Sequence, residues 1–211
     1  MLYPGHINLK DKNVIVIGGG AVAERKIRQL LSSGAVVACV APRIRGRLKA
    51  LKKVRFINDY FDIKYIKKLK PFLVVNASGD KNVDIEMLRL LENRHFLYNS
   101  ADNPHACNFF APAVINKKDL IISISTQGRS PFMAAYIKKE LSERICGEWA
   151  GLVGVIGSIR RKLNNTGLPR KRKLEIYDYA VKDKIILKAL RAGDRKLLNS
   201  EIGRIMKRFA D

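Results

Sequence analysis

The stretch Val14-Ile15-Val16-Ile17-Gly18-Gly19-Gly20-Ala21-Val22-Ala23 decides the reading of this chain. Four consecutive β-branched residues predict a strand. An unbroken apolar run suits a parallel sheet covered on both faces. Three glycines then allow a sharp turn into a helix. Gly18 makes the turn, Gly20 leaves room for a phosphate to approach the backbone, and Ala23 is small enough for helix to pack on strand. The new helix N-terminus offers unpaired N–H groups and a partial positive charge, so Gly18, Gly20, Ala21 and Val22 are candidates for holding a dinucleotide pyrophosphate. The same turn could also serve as a bare connection in an α/β sheet.

Working outward, strand and helix signals alternate through the first 110 or so residues. Strands are predicted at 14–17, 36–40, 54–57, 72–75 and 96–98, with helices at 21–31, 45–51, 62–69 and 82–91 between them. Asp62 stands where it can cap the third of these helices. Repeated β-α units joined by short links predict right-handed crossovers and a doubly wound, Rossmann-like parallel sheet.

The pattern changes after Pro112. Segments 113–115 and 120–125 are strand-like and flank the polar turn Asn116-Lys117-Lys118-Asp119. Ser130-Pro131 opens a helix. An element of two strands and one helix cannot bury itself well, so it is expected to pack against another surface. Beyond Glu148 the chain reads as all-helical. Trp149, Leu152, Val153, Ile156, Ile159 and Leu163 form an apolar stripe, and breaks are expected at 164–169, Asp183 and Gly193-Asp194. The expected organisation is therefore 1–112, a nucleotide-binding domain; 113–147, a small α+β element packed on the sheet, on another subunit or on both; and 148–211, a helical domain.

The formal net charge of +22 favours polyanionic partners. Residues 149–211 carry 16 Lys+Arg against 6 Asp+Glu, so the excess is densest there. Nucleic acid or a small polycarboxylate would both answer to it. Cys39, Cys107 and Cys146 and the histidines His6, His95 and His105 show no metal-ligand or disulfide spacing, so no resident metal is expected. Cys39 falls in a strand pattern and is assigned to the core, and His95 is read as structural. No secretory pattern or membrane-length apolar run is seen, and a cytoplasmic protein with reduced thiols is expected.

Four ordered segments narrow the reading: Gly18 to Lys26; Asn99-Ser100-Ala101-Asp102-Asn103-Pro104; Phe109-Phe110-Ala111-Pro112-Ala113; and Ser125-Thr126-Gln127-Gly128-Arg129-Ser130-Pro131. Their order and spacing resemble the precorrin-2 dehydrogenase / sirohydrochlorin ferrochelatase family. That resemblance implies oxidation of precorrin-2 to sirohydrochlorin with NAD, and a homodimer of three-part subunits. Some members of the family also insert Fe²⁺. The substrate is a polycarboxylate macrocycle, which the basic charge would help to capture.

Asp102 matches the family aspartate implicated in the reaction. Its chemistry suits a general base, since the oxidation releases a hydride and protons. On its residues alone Asp102 reads as a turn residue beside Asn103-Pro104. Thr126 matches a hydroxyl position of the family cleft, and Arg129 and His105 are candidates for substrate contact. Pro42 and Arg43 would flank the adenosine ribose, and Ser78 the cofactor. The second strand ends without the acid that usually binds an NAD ribose, and Arg43 and Arg45 on general grounds suggest NADP; the resemblance implies NAD. Ser78-Gly79-Asp80 lacks one acid of the family pattern, and Gln127 stands in place of a common glycine. Two other functions stay open from the residues alone. One is a dehydrogenase of another small acid. The other is a basic nucleic-acid-binding protein on a vestigial nucleotide fold, for which no motif beyond charge speaks.

Overall fold

The computed structural model describes residues 2–93, 95–145 and 147–209; Cys146 lies outside them. The chain divides into two compact units, residues 1–111 and 112–211.

The first unit is built on five parallel strands. In chain order they are β1 (Asn13–Ile17), β2 (Val36–Val40), β3 (Val54–Ile57), β4 (Leu73–Asn76) and β5 (Leu97–Ser100), arranged β3-β2-β1-β4-β5. The helices α1 (Ala21–Ser32), α2 (Gly46–Lys49), α3 (Lys64–Leu69) and α4 (Lys81–Leu91) connect them. Strand order reverses between β1 and β4, where a doubly wound sheet opens a crevice at its carboxyl end.

The pleat sorts the apolar run of β1 onto both faces. Val14 and Val16 join Ala23, Ile27, Val37, Cys39 and Leu73 in one core. Ile15 and Ile17 join Tyr65, Ile66, Val74, Met87 and Tyr98 in the other. Ala23 is fully buried, as its place against the strand requires. Cys39 is core, and burial pushes its thiol up to about 11. His95 is exposed.

The expected elements are present with shifted ends. Helix α3 starts two residues after Asp62, because Asp62 Oδ1 accepts the N–H of Lys64 (2.7 Å) and so forms the turn that leads in. Strand β5 runs on to Ser100, since Asn99 and Ser100 keep pairing with Val75 and Asn76.

The second unit begins with the hairpin β6 (Ala113–Lys117) and β7 (Leu120–Ile124). Asn116 and Lys117 belong to the strand, paired with Ile121 and Leu120, so the turn is only Lys118-Asp119, with Lys118 left-handed at φ 55°. Helices α5 (Pro131–Arg144), α6 (Gly147–Asn164), α7 (Arg170–Lys182), α8 (Lys184–Ala192) and α9 (Arg195–Arg208) follow. Asp183 and Asp194 cap α8 and α9, and Gly193 ends α8 in the left-handed region. Val155, Ile159 and Leu163 of α6 pack with Ile176, Ile186 and Ile205. The apolar stripe is narrower than expected: Trp149 is 62% and Val153 40% exposed, because the buried face runs through 152, 155, 156, 159 and 163. Among the described residues no helix is long and apolar enough to cross a membrane.

Candidate functional site

The glycine turn is braced on both sides. Gly18 N–H donates to Val40 O (2.9 Å), and Ala77 N–H donates to Ile17 O (2.8 Å). Gly18 has φ 116°, and a β-carbon there would lie 2.5 Å from Ala77 O. A β-carbon on Gly19 would run into the carbonyl of Arg43. These two glycines are required by the protein's own packing. Gly20 differs: a β-carbon there meets nothing within 4 Å, so the space over it is open.

That opening coincides with an uncapped helix. No side chain caps α1, and the first of its N–H groups to find a carbonyl is that of Glu24, on Gly20 O (3.0 Å). The N–H groups of Ala21, Val22 and Ala23 precede it, with the free donors and positive end of the helix dipole that bind phosphate. Ala21 and Val22 are exposed there.

A cavity of about 450 Å³ runs from the turn past Pro42, Arg43, Tyr60, Ser78 and Asp80. Tyr60, on the loop after β3, is 76% exposed; the sequence reading missed it, since a lone aromatic in a loop carries no pattern. No carboxylate stands at the end of β2. Ser78 Oγ is held by the turn, donating to Asn76 Oδ1 (2.6 Å) and accepting from Asp80 N–H (3.1 Å). Asp80 caps α4 through Asn82 N–H (2.9 Å).

Across the 77–80 loop lies a second cavity of about 340 Å³, at the carboxyl ends of β4 and β5. Asn76, Ser100 and Asp84 line it, with Gly79, Asp102 and Asn103. Asp102 is exposed, and a β-carbon on Gly79 would lie 3.8 Å from its Oδ2. The loop carrying Asp102 is pinned to the sheet. Ala101 N–H donates to Asn76 O (2.9 Å), Cys107 Sγ accepts Ser100 N–H (3.1 Å), and Asn108 Oδ1 accepts Tyr98 N–H (2.6 Å). His105 is exposed on a short 3₁₀ turn in the same loop.

Asp84 is the residue that sequence reasoning missed. It is 4% exposed. Its Oδ1 accepts from Tyr98 Oη (2.5 Å) and Asn76 Nδ2 (2.9 Å), and its Oδ2 from Ser100 Oγ (3.3 Å). Burial pushes its carboxyl up, but these hydrogen bonds outweigh burial and hold it below the ordinary carboxylate value. Burial and Asp84 together push the Tyr98 phenol well up. Lys26 on α1 is partly buried, 3.5 Å from Asn99 Oδ1, and burial lowers its pKa.

The structure therefore gathers Gly18, Gly20, Pro42, Arg43 and Ser78 on one cavity, and Asp102 on the next. Thr126 and Arg129 belong to the second unit. Thr126 Oγ1 donates to Ser130 O (3.0 Å) and accepts Ser130 N–H (3.2 Å), closing the loop before α5. Gln127 (φ 55°) and Gly128 (φ 79°) are both left-handed, which explains why glycine is the relaxed residue at the Gln127 position. Arg129 is exposed. Among the described residues no three His, Cys, Asp or Glu side chains group to hold a metal.

An NAD(P)-binding family model matches residues 6–113, which takes in this crevice. The chain belongs to that NAD(P)-binding family. As a family member it has the parts the cofactor needs: an open glycine cradle, free helix donors and a groove to either side. It is 34% identical to the siroheme synthase of Blochmanniella floridana over 158 residues, which is 72% of this chain and 34% of that protein. To the siroheme synthase of Hydrogenovibrio crunogenus it is 30% identical over 166 residues, 77% of this chain and 35% of that protein. It thus spans about a third of the length of these relatives. A solved structure of SirC, a precorrin-2 dehydrogenase, shares the fold with a TM-score of 0.75 at 23% identity, over 98% of this chain and 100% of that one.

Proposed function

We propose that this chain oxidises precorrin-2 to sirohydrochlorin with NAD, in the cytoplasm. The observation that carries the reading is the placing of Asp102: an exposed carboxylate on a pinned loop, at the rim of a polar cavity that adjoins the open phosphate cradle. The similarity to siroheme synthases supports the substrate.

The cofactor, when bound, accepts the hydride. The protein's part is to hold it and to deal with protons. Gly20 and the first turn of α1 receive the pyrophosphate, with Ala21 and Val22 supplying N–H groups. Pro42 and Arg43 flank the adenosine ribose, and Ser78 shapes the loop between the two cavities. Asp102 accepts a proton released from the macrocycle as the hydride leaves. A base so placed is worth ~10²–10⁴ in rate. His105, on the loop of Asp102, is proposed to contact the substrate; on the second unit Thr126 and Arg129 are proposed as substrate-contact residues on the resemblance alone, Arg129 as a cation for carboxylates. The charge of +22 concentrates such a polyanion near the surface.

The subunit is read as three parts, 1–112, 113–147 and 148–211, with the middle part forming a homodimer. Phe132, Met133 and Tyr136 of α5 are 75%, 42% and 49% exposed, an apolar face that a second copy would cover. Light scattering at micromolar concentration should find a dimer; a monomer contradicts this part.

Purified protein incubated with precorrin-2 and NAD should develop the sirohydrochlorin absorption spectrum. No spectral change in protein that binds NAD rules the substrate out. Adding Fe²⁺ to supplied sirohydrochlorin, as a separate arm, tests whether the chain also inserts the metal.

A further inference from the structure

The crevice assigns its two cavities to the two halves of a dinucleotide. The pyrophosphate cradle lies at β1, and the 450 Å³ cavity extends from it toward β2 and the loop after β3. The 340 Å³ cavity lies on the other side of the switch point, at β4 and β5. A dinucleotide that crosses this point places its mononucleotides on opposite sides. With the adenosine over Pro42 and Arg43, the nicotinamide falls to the β4–β5 side.

On that side the cavity wall holds Asp84. Neutral donors, Tyr98, Asn76 and Ser100 with Asn103 beside them, satisfy its oxygens. Among the described residues no Lys, Arg or His side chain forms an ion pair with it. A buried carboxylate held in the charged form by neutral groups keeps a net negative field in the space it faces. Asp102 and Lys81 line the same cavity with opposite charges, and both are exposed and screened by water, so the buried Asp84 carries the field. The nicotinamide ring is cationic in NAD⁺ and neutral in NADH.

We infer that Asp84 makes this site discriminate by redox state, holding NAD⁺ in preference to NADH. The inference rests on the NAD reading above. Its use to an oxidising enzyme is direct: the reduced cofactor loses an attraction as it forms and leaves more readily.

The test is binding, without substrate. Dissociation constants for NAD⁺ and NADH are measured by calorimetry on the full chain, for wild type, Asp84→Asn and Tyr98→Phe. Asn keeps the shape and an acceptor but removes the charge. The expected result is a wild type that favours NAD⁺. In Asp84→Asn the ratio of the NADH constant to the NAD⁺ constant should fall by about fivefold, the size of a charge interaction across several ångströms of protein. Tyr98→Phe removes a hydrogen bond and keeps the charge, so its ratio should stay at the wild-type value. If both variants shift the ratio alike, the effect is structural and the inference fails. An unmoved ratio in Asp84→Asn overturns it while leaving the NAD reading intact. A wild type that binds neither nucleotide overturns both.

Discussion

Helices α1 and α4 follow adjacent parallel strands and start at the same end of the same sheet, yet their N-termini are finished differently. Helix α4 is closed by its own chain: Asp80 caps it, and Asp84 in its first turn is buried beneath it in a hydrogen-bonded cluster. Helix α1 starts just after Gly20, with no side chain to cap it and open space above Gly20. A cap contributes about 1 kcal/mol to a helix. Its absence at α1 forgoes that stability and leaves the donors for a phosphate. One start is the proposed ligand site and the other is scaffold, and the scaffold start carries the buried charge and the loop neighbour, Asp102, on which the chemistry is proposed to turn.

The largest effect should come from the chemical side of this contrast. Asp102→Asn should lower the rate of precorrin-2 oxidation by ~10²–10⁴ with NAD affinity little changed. A variant at full rate would make Asp102 a turn residue only. The next effect belongs to the open helix start. Gly20→Val puts branched carbons where nothing of the protein stands, so it should fold normally and lose NAD affinity by about tenfold or more, read by calorimetry. Affinity unchanged in a folded variant breaks the contrast at its centre.

The closed start should respond the other way. Asp80→Ala should cost about 1 kcal/mol in urea denaturation, as a lost cap does, and change NAD affinity far less than Gly20→Val. The smallest effect is a pH dependence. The carboxyl of Asp84 is held below its ordinary value in the folded state, so its contribution to stability is present above the unfolded value of about 4 and is lost as pH falls through the lower, folded value. The urea midpoint of wild type should fall more steeply on acidification below about pH 4 than that of Asp84→Asn. Parallel acid profiles would show that the Asp84 charge contributes nothing to folding.

Much of the open start was legible as sequence, because its determinants are local. The β-branched run, the glycines and Ala23 stand within ten residues and need no distant partner to be interpreted. The breaks at Asp183 and Gly193-Asp194 and the helix opening at Ser130-Pro131 are legible for the same reason, and the structure shows that these side chains also cap the helices. What was hidden depends on contacts between distant segments. Gly19 is required by the Arg43 carbonyl, which only the packing of the β2 loop brings near. Asp84 sits in a polar, helical stretch and looks like a solvent-facing acid until β4 and β5 supply Asn76, Tyr98 and Ser100. Trp149 fails in the opposite sense: its spacing fits an apolar stripe, but the rotation of α6 that buries Val155 and Ile159 turns it outward. Thr126 was legible as a candidate, and its bond to the Ser130 backbone is local and open to the same reading, since a Thr at a strand end tends to bond nearby backbone.

The most direct measurement follows both products at once. Wild-type protein is mixed with precorrin-2 and excess NAD, and sirohydrochlorin and NADH are quantified over time. The account predicts that the two appear in equal amounts, with both traces lost together in Asp102→Asn. Sirohydrochlorin formed without matching NADH, or NAD bound with neither product formed, would contradict it.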